Sequence, residues 1–144
     1  MNSYFSIRKA MSADIPAIWR VRYSVQENTL RPGLITDADV QQHLEVIGRG
    51  WVCEQEGAIC AFAIGNARNG QVWALFVEPQ AQGRGIGSAL QAELLEWFRH
   101  QPVRTLWLTT AEGSRSRQFY EKHGWSCVGA VGNGEVRYER ENGT

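Results

Sequence analysis

The chain lacks the features that would hold it to a polyanion or a membrane. Fifteen Lys and Arg balance fifteen Asp and Glu, so the excess of one sign that marks nucleic-acid binders and polybasic membrane binders is missing. No run approaches the roughly 20 apolar residues of a bilayer span. The opening MNSYFSIRKA has no apolar segment of signal-peptide length. The expectation is a soluble, cytoplasmic protein with no nucleic-acid or membrane partner. Cysteine is scarce: Cys53, Cys60 and Cys127 make no C-x-x-C pair and have no histidine at ligand spacing. That excludes the usual cysteine-based metal motifs, so no metal is expected, and it leaves three buried, reduced thiols as the expectation. Internal repeats, linkers and low-complexity tracts are also absent. What remains is 144 residues, 43% of them hydrophobic and six of them tryptophan, enough for one domain over 1–144 with a real core.

Periodicity then divides the chain. A short strand in YFSIRKA is followed by a helix with Ser12 as its expected cap and Asp14 and Pro16 in its first turn. Its apolar stripe runs Ile15, Ile18, Trp19, Val25, with Arg22 on the same stripe. A second helix starts at Thr36, uses Val40, Leu44 and Ile47 as its apolar face, and is expected to close at Gly48 and Gly50. The period then switches to that of strands: GWVCEQ, ICAFAIGN and QVWALFVEP form an antiparallel meander, with Asn69-Gly70 as a hairpin signal. Val72 to Val77 is apolar almost throughout, which predicts a central strand buried on both faces. A long amphipathic helix from Ile86, a strand in VRTLWLTT, a short helix in SRSRQFYEKHG, and the strands WSCVGAV and EVRYER complete the chain. Helical crossovers in the order β-α-α-β-β-β-α-β-α-β-β require some parallel pairing.

Between the apolar strand and the long helix stands VEPQAQGRGIGSAL, residues 77–90, with glycines at 83, 85 and 87. It is not a Walker A loop, which needs a lysine after its last glycine. It is not the dinucleotide fingerprint either, because Ser88 takes the place of the third glycine. Two readings stay open: a tight strand-to-helix turn, and an anion cradle. Successive backbone N–H groups opening into a helix N-terminus favour the second, with pyrophosphate as a sensible ligand.

On these residues the chain resembles the GNAT superfamily of N-acetyltransferases. That family's Q/R-x-x-G-x-G/A motif stands here as Gln82-Gly83-Arg84-Gly85-Ile86-Gly87, and FYEKHGW, Phe119 to Trp125, resembles its second motif. The resemblance implies an α/β (α+β) fold: a mixed, mostly antiparallel, seven-stranded sheet flanked by about four helices, with strands 4 and 5 splayed. It implies acetyl-CoA as co-substrate. The amides of Gly83, Arg84, Gly85, Ile86, Gly87 and Ser88 would take the pyrophosphate, with Gln82 nearby, and main-chain groups of Phe76 and Val77 the pantetheine arm. Tyr120 matches a tyrosine placed near the thioester sulfur in many members, where it would act as general acid to the departing thiolate. The family's asparagine of the second motif is missing, and Ser114 or Ser116 would replace its contact. Lys122 is read either as an exposed helix lysine or as a phosphate contact.

The chemistry sets one further demand. An alkylamine has a pKa near that of lysine, about 10, and must lose a proton before it can attack. The position that carries a glutamate in some members is Gln71 here, which cannot accept one. Glu27 is the preferred substitute, Glu78 a weaker one, and His123 is read as decorating a helix end. Glu27, Asn28 and Arg31 beside several tryptophans point to a small polar amine acceptor, with a peptide amine as the alternative. A non-catalytic acyl-CoA-binding module of the same fold is the reading from another class, and a homodimer is an option the sequence leaves open.

Overall fold

The computed structural model describes residues 4–25 and 34–143. Its elements follow in the order β1 (Ser6–Lys9), a 3-10 turn (Ser12–Asp14), α1 (Ile15–Ser24), α2 (Asp37–Glu45), β2 (Gly48–Gln55), β3 (Ala58–Asn66) and β4 (Val72–Val77). A second 3-10 turn (Pro79–Ala81), α3 (Ile86–Phe98), β5 (Thr105–Ala111), α4 (Arg115–Lys122), β6 (Ser126–Gly132) and β7 (Glu135–Glu141) complete it. Glu27, Asn28 and Arg31 lie outside the described residues. No helix among the described residues is long and apolar enough to cross a membrane.

The seven expected strands are present, with the splay carried far. They form two antiparallel sheets, β1-β2-β3-β4 and β5-β7-β6. Between β4 and β5 a single parallel bridge, Gln71 to Trp107, joins them. It is reinforced where the Trp107 N–H donates to the Gly70 carbonyl at 3.1 Å and its indole N–H to the Asn69 carbonyl at 3.0 Å. Beyond that bridge the strands diverge.

The period-two alternation of β3 builds a core on each face of the first sheet. Ala61 and Ala63 face α3 and the second sheet, where Leu90, Leu94, Phe98, Leu106 and Tyr138 are buried. Phe62 and Ile64 face α1 and α2, against Ile18, Val21, Val40 and Leu44. The apolar run of β4 is not the doubly buried central strand that its composition predicts. Only Val72 is buried, and residues 73–77 are intermediate, because β4 is the last strand of its sheet and its far side opens into the splay.

Three local expectations change. Ser12 does not cap α1; Asp14 holds the N-cap position without a side-chain cap bond, and its carboxylate instead accepts from the Met11 N–H at 2.8 Å and from both terminal guanidinium nitrogens of Arg8 at 2.9 and 2.8 Å. Gly48 and Gly50 do not end α2, which stops at Glu45; they belong to β2, where a Cβ on Gly48 would collide with the Gly65 carbonyl. Thr36, by contrast, is the α2 cap, exchanging bonds with Asp39 in a capping box. Of the three cysteines only Cys53 and Cys60 are buried. Burial pushes the Cys53 thiol up to about 12. Cys127 is exposed because β6 lies at the outer edge of its sheet with all its residues exposed.

The Arg8 hydrogen bonds hold the Asp14 carboxyl below the usual carboxylate range, outweighing its burial. A depressed folded pKa contributes stability above the unfolded value of about 3.9 and loses it as pH falls through the folded value. Asp14→Asn should therefore lower stability at pH 7, and the gap to wild type in urea unfolding should close as pH falls below about 4. A gap that stays constant over that range would show that the carboxylate charge carries no stability.

Candidate active site

The divergence of β4 from β5 leaves two cavities, one on each side of the sheet edge. The first holds about 430 Å³ and lies between the glycine loop and α4. Gly83 and Gly85 both have positive φ, 79° and 83°, and Gly85 is the N-cap of α3. A Cβ on either would meet nothing within 4 Å, so the loop bounds open space and is not filled by its own fold. Gly87 differs in facing the α4 side, where a Cβ would come into van der Waals contact with Phe119 at 3.4 Å. The first N–H groups of α3 have no carbonyl inside the helix to bond. Together with the positive end of the helix dipole they make an anion seat.

The walls of this cavity contain part of the sequence-derived set, and the rest lies elsewhere. Val77, Gln82, Gly83, Gly85, Ile86, Gly87 and Ser88 line it. The Arg84 side chain does not; its guanidinium donates to Gln55 Oε1 at 3.0 Å. Gln82 uses its amide to donate to the Val77 carbonyl at 3.1 Å, bracing the loop against the end of β4. From α4 come Arg115, Phe119, Lys122 and His123. His123 is more than an ornament at a helix end. Its Nδ1 lies 2.8 Å from the Phe119 carbonyl and so carries the proton in the neutral ring, leaving Nε2 to accept from the Ser88 hydroxyl at 3.0 Å. That bond ties the start of α3 to α4 across the mouth.

Backbone geometry decides which main-chain groups face the splay. The Glu78 N–H donates to the Cys60 carbonyl at 2.9 Å. Hydrogen-bonded and non-bonded pairs alternate along an antiparallel ladder, and Phe76 opposes Phe62 while Val77 opposes Ala61. The main-chain groups of Phe76 are therefore committed to β3, while those of Leu75 and Val77 turn toward the open edge. Phe76 contributes its side chain instead.

The second cavity holds about 250 Å³ on the α1 and α2 side. Trp19 and Arg22 of α1, Gln71 and Trp73 at the start of β4, Thr109 of β5 and Glu135 of β7 line it. The two cavities share Leu75, Phe76, Ser116 and Tyr120. Tyr120 is 6% exposed, its ring held edge-on against Phe119 and Trp125 at 5.1 and 5.7 Å. Burial raises its pKa, keeping the hydroxyl protonated near neutral pH, and that hydroxyl has no hydrogen-bond partner among the described residues. Ser114 lies outside both linings: it caps α4, buried, with its hydroxyl 3.2 Å from that of Thr110. Ser116, two residues on, is in both. Glu78 is likewise outside, taken up by Arg20 at 3.4 Å and by the Gln80 amide at 2.7 Å.

A family model described as Acetyltransferase (GNAT) family matches residues 13–125, the span holding the loop, the splay and Tyr120. The chain belongs to this acetyltransferase family. Mycothiol acetyltransferase of Beutenbergia cavernae is 35% identical to this GNAT chain over 77 residues, 51% of the chain and 26% of that protein, so the chain spans about a quarter of that relative's length. In fold, the GNAT chain is similar to the ribosomal-protein-S18-alanine N-acetyltransferase from Escherichia coli, with a TM-score of 0.75 at 18% identity over 98% of this chain and 96% of that one. The phosphinothricin acetyltransferase from Sinorhizobium meliloti, solved in complex with AcCoA, has a TM-score of 0.77 at 20% identity, covering 96% and 89%.

The left-handed backbone at Gly85 can be tested separately from the space around it, since a Cβ there has room. Gly85→Ala should cost about 1–2 kcal/mol in urea unfolding, the penalty of a side chain in that conformation. No change beyond error would mean that the loop does not need its positive φ.

Proposed function

We propose that the chain, acting as one domain over 1–144, transfers the acetyl group of acetyl-CoA to a primary amine by direct attack on the thioester. The observation that carries this reading is the meeting of the two cavities at Leu75, Phe76, Ser116 and Tyr120. A cofactor bound on one side and an amine on the other would come together only there. The GNAT family match and a structural neighbour solved with AcCoA support the choice of cofactor.

The residues present fit such a cofactor. The open glycine loop and the start of α3 would seat the pyrophosphate, with Lys122 and Arg115 as nearby positive charges. The outward main-chain groups of Leu75 and Val77 would pair with the pantetheine amides as an added strand does. The Val77 N–H would also serve as donor to the carbonyl oxygen as it gains negative charge.

When the neutral amine attacks, a C–N bond forms at the thioester carbon and the C–S bond breaks. The nitrogen gives up one proton and the sulfur gains one. Tyr120 supports both transfers: its hydroxyl donates to the departing thiolate as general acid, and its oxygen recovers a proton from the collapsing intermediate's nitrogen. Because burial raises its pKa, it is held as a donor at neutral pH. The earlier proton, lost when the ammonium becomes an amine, passes to water through the acceptor cavity. Gln71 lines that cavity but cannot take it, and Glu27 is assigned no step.

Tyr120→Phe should lower the rate of CoA thiol release with an amine acceptor by about 100-fold or more, with CoA affinity unchanged in calorimetric titration. Turnover equal to wild type at every pH would remove the general-acid role. Tight CoA binding by wild type with no thiol release from any amine would favour a binding module in place of an enzyme.

A further inference from the structure

The acceptor cavity contains a cation that makes no ion pair among the described residues. Arg22 stands on the apolar stripe of α1, half-buried, one turn after Ile18 and next to Val21, both of which are buried. Its guanidinium lies over the Phe76 ring at 4.4 Å from the centroid. Its Nη1 is shielded from solvent and has no hydrogen-bond partner among the described residues. Burial lowers its pKa, yet a guanidinium stays charged in a protein. A buried, unsatisfied charged donor costs free energy unless something completes it. Arg22 lines the acceptor cavity and not the cofactor cavity, so the pyrophosphate is not its partner.

The same cavity presents a charge of opposite sign. Glu135 enters it from the first residue of β7, opposite Ala111 at the splayed end of β5. No ion pair of the Glu135 carboxylate is found among the described residues. The lining also includes the aromatic rings of Trp19, Trp73 and Phe76.

We propose that the acceptor is a small amino carboxylate, a free amino acid or a close analogue, whose carboxylate is held by the Arg22 fork and whose ammonium is drawn to Glu135. This rests on the acetyl-transfer reading and narrows it. A guanidinium pairs a carboxylate through two parallel hydrogen bonds, which fixes orientation as well as charge. The cavity, about 250 Å³, is of the size that encloses a single small molecule. Arg22 is thereby a specificity-determining residue, and Glu135 positions the amine.

The test compares each free amino acid with two partners that keep the amine and lose the anion: its amide and its decarboxylated amine. Wild-type protein is given acetyl-CoA, and CoA thiol release is followed over a range of acceptor concentrations. At least one amino acid should exceed both partners in kcat/KM by about 100-fold or more, the scale of rejection when a site's polar group loses its mate. Arg22→Gln should remove that preference chiefly through KM, bringing the amino acid down to its amide, while Arg22→Lys keeps part of it. The comparison on wild type stands even if a variant fails to fold. Amides and plain amines turned over as well as the acids would overturn the inference and leave acetyl transfer intact. Turnover confined to peptide N-termini, which have no carboxylate beside the amine, would overturn it too. Absence of CoA binding together with silence from every amine would take down both readings.

Discussion

The parting of β4 from β5 is the constraint on which the rest of this molecule depends. Two parallel strands that could have continued a ladder are joined at Gln71 and Trp107 alone and then separate. The separation leaves the outward main-chain groups of Leu75 and Val77 without a strand partner, the Val77 carbonyl being met only by the Gln82 side chain, and it opens a gap through the sheet that side chains from both layers must border. Unpaired strand-edge groups are costly in a dry core. They are tolerable where a ligand or water can reach them, and two cavities reach these.

Each neighbouring element is shaped by that gap. The Asn69 and Gly70 carbonyls that receive the Trp107 N–H groups fix the point where divergence begins. Gln82 braces the far end of β4 by bonding the Val77 carbonyl. α4 lies across the opening with Ser116 and Tyr120 facing into it, and the Ser88 to His123 bond couples its C-terminal end to α3. α1 closes the other side with Trp19 and Arg22.

Much of this was legible in the chain because it is local. The Asn69-Gly70 turn, the Thr36 cap and the glycine loop are each set by a few adjacent residues with a fixed backbone requirement, and two motifs with a strand between them pointed to the family. Long-range placement was harder. The apolar run of β4 reads as a strand buried on both faces, but hydrophobicity does not say whether its partner strand stays beside it. Cys127 sits in a run that reads like any core strand, yet β6 is an outer edge. Arg22 left one signal, a charge within an apolar helical stripe. Glu135 left none, since the residue after an Asn-Gly turn has no preferred side until the pairing register with β5 is known.

The central claim is that one side of the splay receives CoA and the other the acceptor. Backbone amide NMR during titration with CoA alone tests it most directly. The account predicts the largest shift changes at residues 83–88 and at Leu75 and Val77, with much smaller ones at Trp19, Arg22 and Glu135. Changes concentrated on the α1 and β7 wall, or none at the glycine loop at saturating CoA, would contradict it.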